Sequence, residues 1–450
     1  MLPRFRRGLL LAAILVGGLL LLSCGGGEKE AGETPGATKP AAEQTSTPPD
    51  TTGVSATEVK WGTHFPLSQN PASAYAPIAY GMDAFFKYIN AQGGVYGRKI
   101  TFIIGDDHYN PADTVEVVRR LVEQDKVFGI VGGLGESPHL AVYKYLEDQG
   151  IPDMYVTTGL LQWVEPVAKN RFGGNPDYVS EGKFLAQYIV DHFNGKKMGL
   201  LLQNDQLGVD GEKGLKEGLE GSDVQIVARE TYESVDSDTS AQTQRLKNAG
   251  AEVLVAFAMP LQGASMVKAA RETLDWDVPI VLTGILCTDL FIMLAGPENA
   301  EGIISYTFGV QAYATDDPGV QKFQKIWAKY GTGGDLSNFA LYGMNVAEQL
   351  VNNLEVNGPD LSRQSFLDAA EHTCKFQCTV CFPDGPISTS PTDHRLSENF
   401  VYNEVVNGGW KQISDMVSLE STKDCTPPEM PADFDKQPKV GRAAEFVDVP

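Results

Sequence analysis

Histidine and cysteine are scarce, six of each in 450 residues, and no two histidines stand four apart as a zinc-binding helix would need. There is no Gly-x-Ser-x-Gly elbow and no glycine loop ending in Lys-Ser or Lys-Thr, so these nucleophile and phosphate-binding signatures are missing. Basic residues are also few: 36 Lys and Arg face 58 Asp and Glu, a formal charge of -22. Nucleic-acid binding needs clustered cations, and this acidic balance excludes it. No apolar run reaches the roughly 18 residues of a membrane span. These absences leave a globular chain with no metal, no cofactor and no catalytic residues. An α/β enzyme stays as the alternative, since fold does not fix function.

What is present begins with Arg4, Arg6 and Arg7 ahead of an apolar stretch from Gly8 to Leu22, the layout of a secretory signal over residues 1–23. Its exit, Leu21-Leu22-Ser23-Cys24 followed by three glycines, resembles the lipobox of bacterial lipoproteins. That resemblance implies cleavage before Cys24, acylation of its thiol and firm attachment to a membrane. Without the three arginines, 33 basic residues face 58 acidic ones, or -25. Residues 24–56 are rich in Gly, Glu, Thr, Ala and Pro, the composition of a disordered tether. The length suits two domains.

From Glu58 the pattern becomes regular. Glu58 to Pro66, Lys99 to Gly105 and Val127 to Val131 read as strands, and a fourth follows near Pro152 to Val156. Between them, Ile78, Met82, Phe85, Phe86 and Ile89 mark one apolar helix face, and Val115, Val118, Leu121 and Val122 another. Asn110-Pro111 reads as a helix cap, and Ser137-Pro138 repeats the signal. Strict alternation implies a parallel sheet covered on both faces, with binding loops beyond the carboxyl ends of its strands. Those loops are Pro66 to Tyr75, Gly105 to Asn110 and Gly132 to Ser137.

An irregular stretch with Trp163 and Phe172 precedes a helix capped by Asp177 or Ser180, and the alternation then resumes. Met198 to Leu202, Val224 to Glu230, Val253 to Phe257, Ile280 to Thr283 and Ile303 to Thr307 read as strands of a second lobe. Helical faces follow at Val320 to Trp327, Phe339 to Leu350 and Phe366 to Ala370. Asn399 to Val406 with Trp410 to Ile413 forms a hairpin around Asn407-Gly408-Gly409. Beyond Ser418 the composition is that of a loosely held tail. Five cysteines remain after Cys24. Cys287 is the free thiol, while Cys374, Cys378, Cys381 and Cys425 form two bridges by any of three pairings. The Cys378-x-x-Cys381 spacing also fits redox or zinc chemistry, but no basic neighbour activates a thiol there, and a structural disulfide is the preferred reading.

Several segments together resemble the type I periplasmic binding proteins of ABC importers, in the branched-chain amino acid and amide group. They are Phe65-Pro66-Leu67-Ser68, the run from Ile89 to Ile100 around Gly93-Gly94-Val95-Tyr96-Gly97, Asp106-Asp107 with Asn110-Pro111, Leu207-Gly208, Asp210-Gly211 and Asp238-Thr239-Ser240. The resemblance covers about residues 57 to 415. It implies an α/β type I periplasmic binding protein fold: two Rossmann-like lobes with parallel sheets, joined by a three-crossing hinge. Lobe I would take 57–177 and 311–387, lobe II 178–310 and 388–415, with a tail over 416–450. Implied partners are a small-molecule solute, the ABC permease subunits and the membrane through the lipid anchor, for a monomer on the extracytoplasmic face or in the periplasm. A sensory receptor of the same fold is the alternative use.

In relatives that bind aliphatic amino acids, a hydroxyl and backbone amides of the first lobe hold the ligand carboxylate. By position this chain offers Ser68, Ser137, Thr157 and Thr158, with Ser137 equally readable as a plain helix cap. Where relatives place two tyrosines and a glutamate that receives the ammonium, this chain has Leu207, Met259 and either Gly284 or Ile285. The acceptor is then missing unless Glu136, Asp205 or Asp289 replaces it, and a more apolar or aromatic ligand is implied. Tyr75, His108 and Tyr109 stand in the remaining loops, where an aromatic can cover such a ligand. Asp106-Asp107 reads as a loop brace, and Trp163 as hinge packing or cleft lining.

Overall fold

The computed structural model describes residues 48–419 and 425–448; the signal, Cys24 and most of the tether fall outside the described residues. The tether ends sooner than its composition suggests. The Arg363 amide donates to the Asp50 carbonyl and its guanidinium to the Asp50 carboxylate at 2.6 Å, so the chain is already held against the first lobe at Asp50.

The first sheet holds β1 (Glu58–Phe65), β2 (Lys99–Asp106), β3 (Gly129–Val131), β4 (Asp153–Val156) and β5 (Arg171–Gly173) in the order β2-β1-β3-β4-β5. All four pairings are parallel. β5 lies in the stretch read as irregular, because three residues are too few to show a period. Asn110 caps the helix Pro111–Arg119 by accepting from Ala112 and Asp113 amides, as its position before proline predicts. Ser137 does not do the same: it is exposed, and the short helix Glu136–Leu140 begins after Gly135, whose φ of 104° suits only glycine.

The second sheet holds β6 (Lys197–Gln203), β7 (Gln225–Tyr232), β8 (Val253–Phe257), β9 (Ile280–Leu282) and β10 (Ile304–Thr307), followed by β11 (Asn399–Val406), β12 (Gly409–Gln412) and the short β13 (Val417–Ser418). Its order is β12-β11-β10-β9-β8-β6-β7, with β13 beside β11. The first five strands run parallel, and the hairpin adds antiparallel to β10. Between β10 and β11, both in the second sheet, the chain sends the helices Pro318–Tyr330, Asn338–Asn357 and Arg363–Ala370 back to the first lobe, where Phe323, Leu350 and Phe366 enter its core. The architecture is bilobed α/β.

Two glycines set the wall next to the site. The helices Ala76–Ala91 and Asn338–Asn357 cross so closely that a Cβ on Gly81 would lie 2.1 Å from the Ala340 carbonyl oxygen. A Cβ on Gly343 would lie 1.9 Å from that of Ile78. Only hydrogen fits there, and the crossing fixes Tyr75 and Tyr342 relative to each other.

The tail corrects the expectation of looseness. Cys374 is bonded to Cys425 and Cys378 to Cys381, which selects one of the three pairings, and Cys287 is free and buried. Beyond Cys425, the Lys322 ammonium donates to the Gly441 carbonyl, the Gly441 amide donates to Glu348, and Arg442 pairs with Asp317. Phe446 stacks on Tyr88 at 5.8 Å. The Lys322, Glu348 and Asp317 partners lie 119, 93 and 125 residues away and Tyr88 is farther still, so local composition misreads the segment.

Candidate functional site

Loops from both lobes enclose a cavity of about 150 Å³. A water occupies roughly 10–15 Å³ on that measure, so the space suits a solute of about ten non-hydrogen atoms. From the first lobe, Tyr75, Tyr109, Glu136, Thr157 and Thr158 line it; from the second come Leu207, Met259 and Ile285. Each first-lobe residue stands just beyond a strand end or at a helix start, where the parallel sheet releases its loops.

Six candidates are not brought to the cavity. The Ser68 hydroxyl donates to the Asp106 carboxylate at 2.6 Å, and Asp106 also accepts the Leu67 and His108 amides, bracing the loop. His108 turns outward to Asp113 at 2.8 Å, and that hydrogen bond raises its affinity for a proton above the ordinary histidine value. Ser137 faces solvent. Asp205 caps the helix Gln206–Gly218, accepting the Leu207 amide at 3.1 Å. Asp289 stands in the first turn of the helix Asp289–Ala295, which Thr288 caps, and does not line the cavity. Trp163 is 1 % exposed and packs edge-on against His139 at 5.1 Å, away from the lining.

Thr157 and Thr158 reach the cavity with most of their donors engaged. The Thr157 amide donates to the Gly133 carbonyl and its hydroxyl to that of Gly132; the Thr158 amide donates to Val156. The Thr158 hydroxyl lies 3.4 Å from that of Tyr178. The free amides that an anion cradle needs are therefore not presented by these two residues.

Glu136 joins the lobes. Its carboxylate accepts the Gln206 amide at 2.9 Å and the Leu207 amide at 3.3 Å, at the start of a second-lobe helix, where two orphan amides and the positive end of the helix dipole meet an acid. Burial, then the nearby Asp205 charge, push the Glu136 carboxyl up to about 7 against the opposing pull of those amides. A further link runs from the Leu161 amide to Asp210 at 3.1 Å. The Tyr75 hydroxyl approaches the Met259 sulfur at 3.8 Å.

Several wall residues escaped the sequence reading. Asn338, Phe339, Tyr342 and Asn345 line the cavity from the start of the helix Asn338–Asn357. Strand-end reasoning does not point to a helix that arrives after the second crossing. The available signal was the spacing of Asn338, Tyr342 and Asn345, which puts three polar groups on one face at the start of the helix. Tyr178 and Phe308 complete the aromatic lining.

Beneath the loop Gly132 to Glu136 runs a buried chain of titratable groups. His64 Nδ1 meets Asp107 at 2.8 Å, His64 Nε2 meets His139 Nδ1 at 2.9 Å, and His139 Nε2 meets Asp153 at 2.9 Å. A Cβ on Gly133 would sit 2.5 Å from His64 Nε2, which places this chain directly under the cavity loop.

The family model described as periplasmic binding protein matches residues 58–409. An amino acid binding protein of Pseudomonas aeruginosa is 26% identical over 259 residues, covering 56% of this chain and 67% of that one. The Leu/Ile/Val-binding protein homolog 1 of Brucella suis is 28% identical over 259 residues with the same coverage of each chain. Among solved structures, a branched chain amino acid ABC transporter from Thermus thermophilus with bound valine gives a TM-score of 0.73 at 19% identity, over 85% of this chain and 99% of that one. A fatty acid ABC transporter substrate-binding protein from Thermomonospora curvata gives 0.69 at 20% identity, over 84% and 97%. At such identity the structural likeness speaks for the fold alone.

Proposed function

The chain belongs to the periplasmic binding protein family, and from that premise we propose that it is the extracytoplasmic solute-binding component of an ABC importer, capturing a small amino-acid-like solute between its lobes. The observation that carries this reading is the cavity lined from both lobes, with the Glu136 carboxylate of one lobe on backbone amides of the other. Closing such a gap strips water from the solute and completes its contacts in one event, so affinity and the shape that a permease reads have a common origin. The family and fold are those of non-catalytic solute-binding proteins.

In this reading lobe I comprises 57–177 and 311–387, lobe II 178–310 and 388–415, and Cys24 carries a lipid that leaves the lobes free outside the membrane. Tyr75, Tyr109, Thr157 and Thr158 contact the solute from the first lobe, and Leu207, Met259 and Ile285 from the second. The test is native mass spectrometry of the protein purified from its own host, followed by calorimetry with the compound found. A co-purifying small solute that binds reversibly and is recovered unchanged supports the reading; turnover of that solute overturns it. Loss of acylation on Cys24→Ser, read by fatty-acid labelling, tests the anchor.

A further inference from the structure

The charge of the solute follows from what surrounds the cavity, and this step rests on the solute-binding reading above. Among the described residues, no lysine, arginine or histidine lines the cavity. The ionisable acid that does is Glu136, and no cation stands within ion-pair distance of it among the described residues. The groups that face it are themselves acidic: Asp205 at the cap of the helix Gln206–Gly218, and Asp210 one turn further on. Aromatic rings form part of the wall, with Tyr75 and Phe339 at 4.9 Å and Phe308 and Tyr342 at 6.1 Å between centroids, beside aliphatic and uncharged polar side chains. Burial holds the Tyr75 and Tyr342 phenols neutral.

A carboxylate entering this space would meet a carboxylate, no cation, and threonine amides already bonded to carbonyls. A protonated amine would meet an unneutralised acid, aromatic faces that attract cations, and the unpartnered Asn345 side-chain oxygen, while the unpartnered Asn338 amide nitrogen and Tyr342 hydroxyl are left to neutral acceptors of the solute. We infer that the solute presents a protonated amine to Glu136 and carries no free carboxylate, as in an amino-acid amide or an aralkyl amine.

The experiment compares four molecules with one apolar body by calorimetry on the full chain in detergent at pH 7.5: phenylalaninamide, phenylalanine, 3-phenylpropionate and 3-phenylpropionamide. Two like charges about 5 Å apart at an effective dielectric of about 20 differ from the neutral case by on the order of 100-fold in affinity, and tenfold is the least that survives screening. The expected result is that phenylalaninamide binds at least tenfold tighter than either carboxylate-bearing molecule, and that Glu136→Gln removes this preference. Equal or tighter binding of phenylalanine, 3-phenylpropionate or the amine-free 3-phenylpropionamide overturns the inference while leaving the solute-binding reading intact. Binding by none of the four also overturns it; native mass spectrometry then separates the two ideas, since a co-purified solute keeps the broader reading and its absence removes both.

Discussion

Glu136 makes closure of the lobes a proton-linked event, and the effect is large enough to measure. In the closed arrangement the carboxyl is half-buried, lies near Asp205 of the opposite lobe and has an affinity for protons raised from 4.5 to about 7. Opening the lobes separates it from Asp205 and returns water, so its value falls back toward the ordinary one. A group whose value is higher in the closed form takes up a proton on closing; closure is therefore favoured below about pH 4.5, and that advantage is lost as the pH rises through about 7. The full shift corresponds to about 3 kcal/mol, which solvent screening at a partly exposed site reduces to about 1–2 kcal/mol. With no solute added, small-angle scattering at pH 5.5 should show a larger closed fraction than at pH 8, by about tenfold in the closed-to-open ratio. Glu136→Gln cannot titrate, keeps its acceptor for the Gln206 amide, and should flatten the profile. A wild-type profile already flat, or one that survives the substitution unchanged, would refute the reasoning.

Gly343→Ala pushes a methyl into the Ile78 carbonyl at 1.9 Å and should cost about 3 kcal/mol or more in denaturant unfolding. Gly409→Ala, with nothing within 4 Å, should cost less than about 0.5 kcal/mol. Glu355 is buried with one carboxyl oxygen unpartnered, and burial pushes it up to about 9. Its contribution to stability is present below the ordinary carboxyl range and lost as the pH rises toward 9, so Glu355→Gln should raise the melting temperature at pH 8 and change little at pH 4.5. The Cys374–Cys425 bridge closes 51 residues and, on the chain-entropy account, contributes about 4 kcal/mol, whereas the Cys378–Cys381 bridge closes 3 and contributes about 1–2 kcal/mol. Paired serine substitutions should show that order in unfolding, and only the first should open residues 425–448 to protease.

The sheets were legible in the sequence wherever a strand had enough residues to show itself. β1 and β8 stand within a residue of where apolar periodicity puts them, and Asn110 and Asp177 cap the helices that follow them. Those signals are local, carried by side chains a few positions apart. β5 has three residues and no period, so it passed as loop. The docked tail and the His64–His139 chain were not legible because their partners are distant: Phe446 finds Tyr88, and His64 finds Asp107 and His139, only after the lobe has folded. In the cavity, strand-end residues such as Glu136 and Thr157 could be named in advance. Ser137 and Asp205 could not be told from them, because one turn of a short helix decides which neighbour faces inward. The wall from Asn338 to Asn345 needed the crossing of two helices at Gly81 and Gly343, a close approach that no local pattern announces.

The central claim is that a solute taken into the gap draws the lobes together. Labels placed by Lys87→Cys on the first lobe and Lys213→Cys on the second, both at exposed side chains, report the distance between lobes by pulsed electron resonance. Addition of the co-purified solute should shorten that distance and narrow its distribution, and dialysis should reverse both. A distance that is the same with and without saturating solute would contradict the account.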